Sequence, residues 1–381
     1  MRPELALILG CGNPQPDASA IARTQELARQ PLDWEEVARL ARRHGLLPLL
    51  CRNLPLNGVT PPPEVAARLR PMLQGNALQA TRLTWELREM LRDLAAQGLN
   101  VLAYKGPLLA QMLYGDTALR QYNDLDLLAR RADVPAVARL LQKRGYDNLH
   151  NFSPKQEQLF LTKDCEYTFL HREQRFNLDL HWDFAPRFFA LRLDVEDFWR
   201  RAQSISLEDD YCLTLSPEDT LLIMSVNAAK DFWSRLLLVC DMAQLIRQTP
   251  ALDWPALWPR AVAARAQRML GLSLWLAREL LGLALPPFIC QKLAADQALP
   301  ELAEQIKQSL FGKEQIPAPV NTFLLPARAL PNRMAQWEFH LRLALEPSPE
   351  DWAFVNLPES LNFLYYFTRP ARLVRKYILG R

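Results

Sequence analysis

Glycine is scarce in this chain, with 13 residues among 381 against 29 prolines. Phosphate-wrapping loops are usually glycine-rich, and no G-x-x-x-x-G-K-[S/T] segment occurs, which excludes a P-loop. Gly10-Cys11-Gly12 follows the apolar run 5–9, but Pro14 and Pro16 come next and no third glycine opens a helix, which argues against a dinucleotide fingerprint. The six cysteines are far apart and form no CxxC pair, so they read as small buried hydrophobes in a reducing, cytoplasmic setting. Five histidines without HExxH spacing or a Cys/His cluster offer no dedicated zinc site. Apolar runs such as 5–9 and 236–240 fall far short of the roughly 20 residues of a membrane-spanning helix. Charge of one sign is also missing: 45 Lys+Arg against 42 Asp+Glu leaves +3, too even to announce a nucleic-acid or membrane partner.

What is present is a well-filled globular composition, 49% hydrophobic and 23% charged, long enough for two or three domains. Residues 17–97 read as helices: Asp33 caps one that stops at Gly45, Pro61-Pro62-Pro63-Glu64 marks a break and a new start, and Leu78, Leu83, Leu87, Leu91 and Leu94 recur at helical spacing up to Gly98. The pattern then changes. Residues 100–104 read as a short buried strand that Lys105-Gly106-Pro107 turns into a helix, 124–128 as a second strand, and Asp133 as the cap of a helix ending at Gly145. Strands around 165–170 and 176–182 flank the polar turn Arg172-Glu173-Gln174. At Ser216-Pro217-Glu218-Asp219 the chain returns to helix. Helical patterns run through 245 and over 259–283, a proline-rich linker holds Pro317, Pro319, Pro326 and Pro331, and another helix spans about 334–345. The fold class expected is α+β: a small mixed-sheet core over 98–215, between helical regions at 1–97 and 216–381.

Chemistry is suggested by three acids. Asp124 and Asp126 are two apart on a strand, so they share a face about 6.6 Å apart along the backbone, close enough to grip one divalent cation or a pair. Such a pair is also what an exposed strand start looks like. In Asn177-Leu178-Asp179-Leu180-His181-Trp182, alternation puts Asp179 and His181 on one face and the apolar residues on the other. Lys105-Gly106, where a strand passes into a helix, suits a phosphate. Three carboxylates on two strands suit two-metal chemistry on a triphosphate.

These motifs, Lys105-Gly106, then Arg120 with Asp124-Leu125-Asp126-Leu127-Leu128, then Leu178-Asp179-Leu180-His181-Trp182, resemble the signature of the bacterial "uncharacterised nucleotidyltransferase" family, a branch of the polymerase-beta-like superfamily. Lys230-Asp231-Phe232-Trp233-Ser234-Arg235-Leu236 with Asp241 is similar to its helical block. Pro349-Glu350-Asp351-Trp352, Leu357-Pro358 and Tyr365-Tyr366-Phe367-Thr368-Arg369-Pro370 are similar to its ending, so the resemblance covers about residues 76–377. It implies a small mixed-sheet nucleotidyltransferase core that transfers an NMP from an NTP, with ATP expected, to a hydroxyl or phosphate acceptor and releases pyrophosphate. It also implies two Mg2+ ions at Asp124, Asp126 and Asp179, and Lys105, Gly106 and Arg120 on the nucleotide. Lys105-Gly106 stands where better-known superfamily members carry Gly-Ser. Family members often have histidines where this chain has Asn227 and Asp231, so no catalytic role is carried over there.

Other residues have two readings each. Arg120 reaches the triphosphate or pairs with Asp116 or Asp124. His181 assists acceptor deprotonation or is a hydrogen-bonded structural histidine beside Trp182. Asn227, Lys230 and Asp231 line a cleft or form a solvated helix face, and Asp241 reads as an inter-helix hydrogen-bond acceptor. Arg369, Arg372, Arg375 and Lys376, with Leu373, Tyr377 and Ile378, form an amphipathic basic ending, an exposed face on a docked helix or a peripheral contact with an anionic membrane. The acceptor is expected to be a sugar, small metabolite, peptide or protein, with long nucleic acid disfavoured by the even charge. The competing class is a non-catalytic helical interaction or scaffold protein that retains the fold.

Overall fold

The computed structural model describes residues 2–150, 152–312, 325–355, 357 and 359–377. Its sheet has five strands in the order β1-β2-β5-β4-β3: β1 (Val101–Ala103), β2 (Asp124–Ala129), β3 (Tyr146–Asn148), β4 (Glu166–His171) and β5 (Asn177–His181). The β2/β5 pair is parallel and the other pairs are antiparallel, so the sheet is mixed. A separate hairpin, β6 (Gln203–Leu207) with β7 (Asp210–Thr214), completes the strands among the described residues. Helices flank the sheet on both sides in sequence, which gives the expected α+β class.

Alternation along the strands makes two cores. Leu125, Leu127, Leu178, Leu180 and Phe169 point to one face and pack with Leu83, Leu87, Met90 and Leu94 of the Pro63–Ala96 helix and with Val137 and Leu141 of the Val134–Lys143 helix. Leu102, Tyr104 and Leu128 point to the opposite face and join the larger core built by helices from both ends of the chain. The second face carries the acids.

Several expectations are corrected. Residues 63–96 form one 34-residue helix that runs through Pro71. Its stripe toward the sheet starts at Ala80, and Leu78 is 72% exposed. Asp133 is at a helix N-cap, but its side chain makes no capping bond. The strand β3, the β6/β7 hairpin and the helices Pro287–Ala295 and Leu299–Phe311 were not apparent from periodicity. The basic ending is only partly an exposed face: in the Tyr365–Tyr377 helix Arg375 is exposed, but Arg369 and Arg372 are buried and both pair with buried Asp351. That removes two charges from the surface proposed for membrane contact. Pro317, Pro319, Pro358 and Ile378, and the side chains of Lys376 and Tyr377, lie outside the described residues. No described helix is long and apolar enough to cross a membrane.

Candidate active site

Strand β2 brings Asp124 and Asp126 to the sheet face away from Leu125 and Leu127, which are fully buried. Parallel pairing sets Asp126 against Asp179 and Leu128 against His181, and antiparallel pairing sets Thr168 against Asp179 and Glu166 against His181. Register alone therefore gathers four polar side chains around Asp126. Asp126 Oδ1 receives the Lys105 ammonium at 2.7 Å and lies 3.0 Å from His181 Nε2. His181 Nδ1 lies 3.0 Å from Glu166 Oε2, and the Thr168 hydroxyl donates to Asp179 Oδ1 at 2.8 Å.

Lys105 arrives from β1 in an extended conformation, and Gly106 then starts the Gly106–Tyr114 helix with φ +55°. A Cβ at Gly106 would stand 3.2 Å from the Asp124 carbonyl oxygen. Both the left-handed backbone and the close approach to β2 require glycine here. This is how one glycine sets the turn over the acids.

The charges are unequal neighbours. Burial pushes Asp179 up to about 6, and the Asp126 carboxylate beside it adds to the rise. Asp124 is raised by the same two causes. Burial alone would raise Asp126 as well, but Lys105 and His181 hold it well below the usual carboxylate range. Glu166, opposed by burial in the same way, is held down to about 2 chiefly by His181. Burial works against a charged His181, yet Asp126 and Glu166 together outweigh it and raise its pKa above the ordinary histidine value. Asp126, Asp179 and His181 present ligand atoms within 4.8 Å of one another, a group that Asp124 does not enter although it lines the same cavity. Cys165, Glu166 and His181 form a second such group, but burial raises the Cys165 thiol well above its ordinary range, which disfavours a thiolate ligand.

The cavity over these groups has a volume of about 490 Å³. Its far wall comes from the Pro217–Lys230 and Leu236–Gln248 helices and carries Asn227, Lys230, Asp231 and Arg235. Phe232 (φ 48°) and Trp233 (φ 46°) make the turn between those helices in the left-handed region, at a cost of about 1–3 kcal/mol each. Burial of both rings and a Trp233 Nε1–H bond to Ser273 Oγ at 3.1 Å hold the turn. Arg120 also lines the cavity, but its Nε donates to Asp241 Oδ2 at 2.9 Å, and Tyr114 OH donates to Oδ1 of the same carboxylate at 2.7 Å.

The residues singled out by sequence thus converge: Lys105, Gly106, Arg120, Asp124, Asp126, Asp179 and His181 line one cavity. Asn227, Lys230 and Asp231 line it too, the first two half-buried and Asp231 exposed, and Asp241 is the inter-helix acceptor expected. Arg120 pairs with Asp241, not with Asp116 or Asp124. His181 contacts the acids, while Trp182 points into the opposite core. Glu166, Thr168 and Arg42 were missed. The alternation of Glu166 and Thr168 with buried Tyr167 and Phe169 is a signal for the first two, whereas Arg42 reaches the site only through helix docking.

No curated protein matches the chain. A family match spans residues 30–282, which includes every strand among the described residues and every residue that lines the cavity. It starts upstream of residue 76 and stops before the motifs of 349–370, so the likeness extends further toward the N-terminus and less far toward the C-terminus than the motifs suggest. On that match the chain belongs to the uncharacterised nucleotidyltransferase family.

Proposed function

We propose that the chain is a Mg-dependent nucleotidyltransferase that moves an NMP from an NTP to a hydroxyl or phosphate acceptor and releases pyrophosphate. The in-register pair Asp126/Asp179, with Asp124 at the same cavity, carries this reading. The residues fit divalent cations: three carboxylates crowd one face, and the two with raised pKa values are raised first by burial and then by the Asp126 charge, both of which such ions offset. Asp124, Asp126 and Asp179 would hold two Mg2+ ions, whose chemistry when bound is neutralisation of phosphate charge and activation of the attacking oxygen.

The protein's own groups do the rest. Lys105 and the Gly106 turn bind phosphate oxygens, and Arg120, held by Asp241, adds positive potential to the wall. His181, placed between the Asp126 and Glu166 carboxylates, orients Asp126. Attack of the acceptor oxygen on the α-phosphorus breaks the bond to the β-phosphate. ATP is the NTP proposed. The acceptor class is a sugar, small metabolite, peptide or protein, since six acids line the cavity against five Lys and Arg, which disfavours a long polyanion. The free cysteines support a cytoplasmic setting. Incubation with each NTP labelled at the α-phosphate, Mg2+ and an acceptor panel tests the reading. Label transfer with pyrophosphate release supports it, and absence of NTP binding favours a scaffold.

A further inference from the structure

Of the five cations that line the cavity, three are engaged: Lys105 with Asp126, Arg120 with Asp241, and Lys230 with the Phe184 carbonyl at 3.3 Å. Arg42 and Arg235 differ. Both are exposed, and neither makes a side-chain hydrogen bond or ion pair among the described residues. They come from opposite sides of the sheet core in sequence, Arg42 from the Trp34–Arg43 helix and Arg235 from the turn before Leu236–Gln248.

Packing brings them to one place. The His44 carbonyl accepts the Leu237 N–H at 3.1 Å, and a Cβ on Gly45 would stand 3.0 Å from Leu237 Cδ2. The two guanidinium groups therefore spring from backbones that are docked against each other, Arg42 two and three residues before His44 and Gly45, and Arg235 two residues before Leu237. Arg235 is also within Coulombic reach of Asp124.

Resting on the nucleotidyl-transfer reading, we propose that Arg42 and Arg235 form the subsite for the β- and γ-phosphates of the NTP, the end that leaves as pyrophosphate. The α-phosphate belongs beside the acids, so the tail must extend along the cavity toward uncommitted positive charge. Two guanidinium forks supply paired donors that match phosphate oxygens. The subsite is composite, complete only when the helix that ends at Arg43 is seated on the one that starts at Leu236.

The test is calorimetric titration of the full chain with Mg·ATP, Mg·tripolyphosphate and Mg·AMP, for wild type, Arg42→Gln, Arg235→Gln, the double variant and Arg235→Lys. Each Gln variant should weaken ATP and tripolyphosphate binding about tenfold or more, and the double variant further. AMP should behave alike with all five proteins, and Arg235→Lys should keep part of the affinity. Unchanged melting curves are expected because both side chains are exposed. Wild type that binds ATP, with Gln variants within twofold of it, overturns this subsite and leaves the proposed function standing. Wild type that binds neither ATP nor tripolyphosphate overturns both.

Discussion

Asp126 and Asp179 stand opposite each other in register on adjacent parallel strands, one held well below the usual carboxylate range and the other pushed up to about 6. The difference follows from who else is present. Lys105 and His181 both sit on Asp126, whereas Asp179 has one neutral partner, the Thr168 hydroxyl. Asp126 gives up its proton more readily than Asp179, and a cation between them would favour the ionised form of both.

That asymmetry gives a pH dependence with a definite sign. Asp179 keeps its proton in the fold up to about pH 6 but loses it near pH 4 when unfolded, so its contribution to stability is full at low pH and is lost as pH rises from about 4 to 6. Asp179→Asn, without metal, should match wild type below pH 4 and exceed it above pH 6 by up to roughly 3 kcal/mol. Thermal melts across pH check this, and added Mg2+ should stabilise wild type only.

Gly106→Ala tests the turn over the acids. A side chain at φ +55°, pressed against the Asp124 carbonyl, should cost about 1–2 kcal/mol or more. Urea unfolding gives the stability, and turnover should fall with it because β2 must shift to make room.

Asp241→Ala separates structural from nucleotide-binding roles of Arg120. The variant leaves buried Arg120 and Tyr114 without their shared acceptor and should lose about 3–5 kcal/mol. Chemical denaturation measures it, and a loss under 1 kcal/mol would show that the pair is not a structural anchor.

The sheet face was legible because strand alternation is a local property: Asp124, Leu125, Asp126 and Leu127 declare their sides in sequence, as do Leu178, Asp179, Leu180 and His181. The helical block gave Asn227, Lys230 and Asp231 by spacing. What sequence could not show depends on partners far away. Arg120 has two acids within four residues, Asp116 and Asp124, yet bonds Asp241 121 positions on. Arg369 and Arg372 look like a basic surface until Asp351, 18 and 21 residues earlier, is found beneath them. Arg42 belongs to an ordinary amphipathic helix, and only its docking beside Leu237 takes it to the cavity. Short elements such as β3, with three residues, carry too little period to be read.

The most direct test of the account is binding of a non-hydrolysable ATP analogue, with and without Mg2+, by wild type and by Asp126→Asn, with circular dichroism to verify folding. Wild type should show saturable, Mg-dependent binding, and the variant should stay folded and lose the Mg-dependent part; in a separate assay with ATP itself its turnover should fall by about 10²-fold or more. Equal Mg-dependent binding and turnover by the two proteins would contradict it.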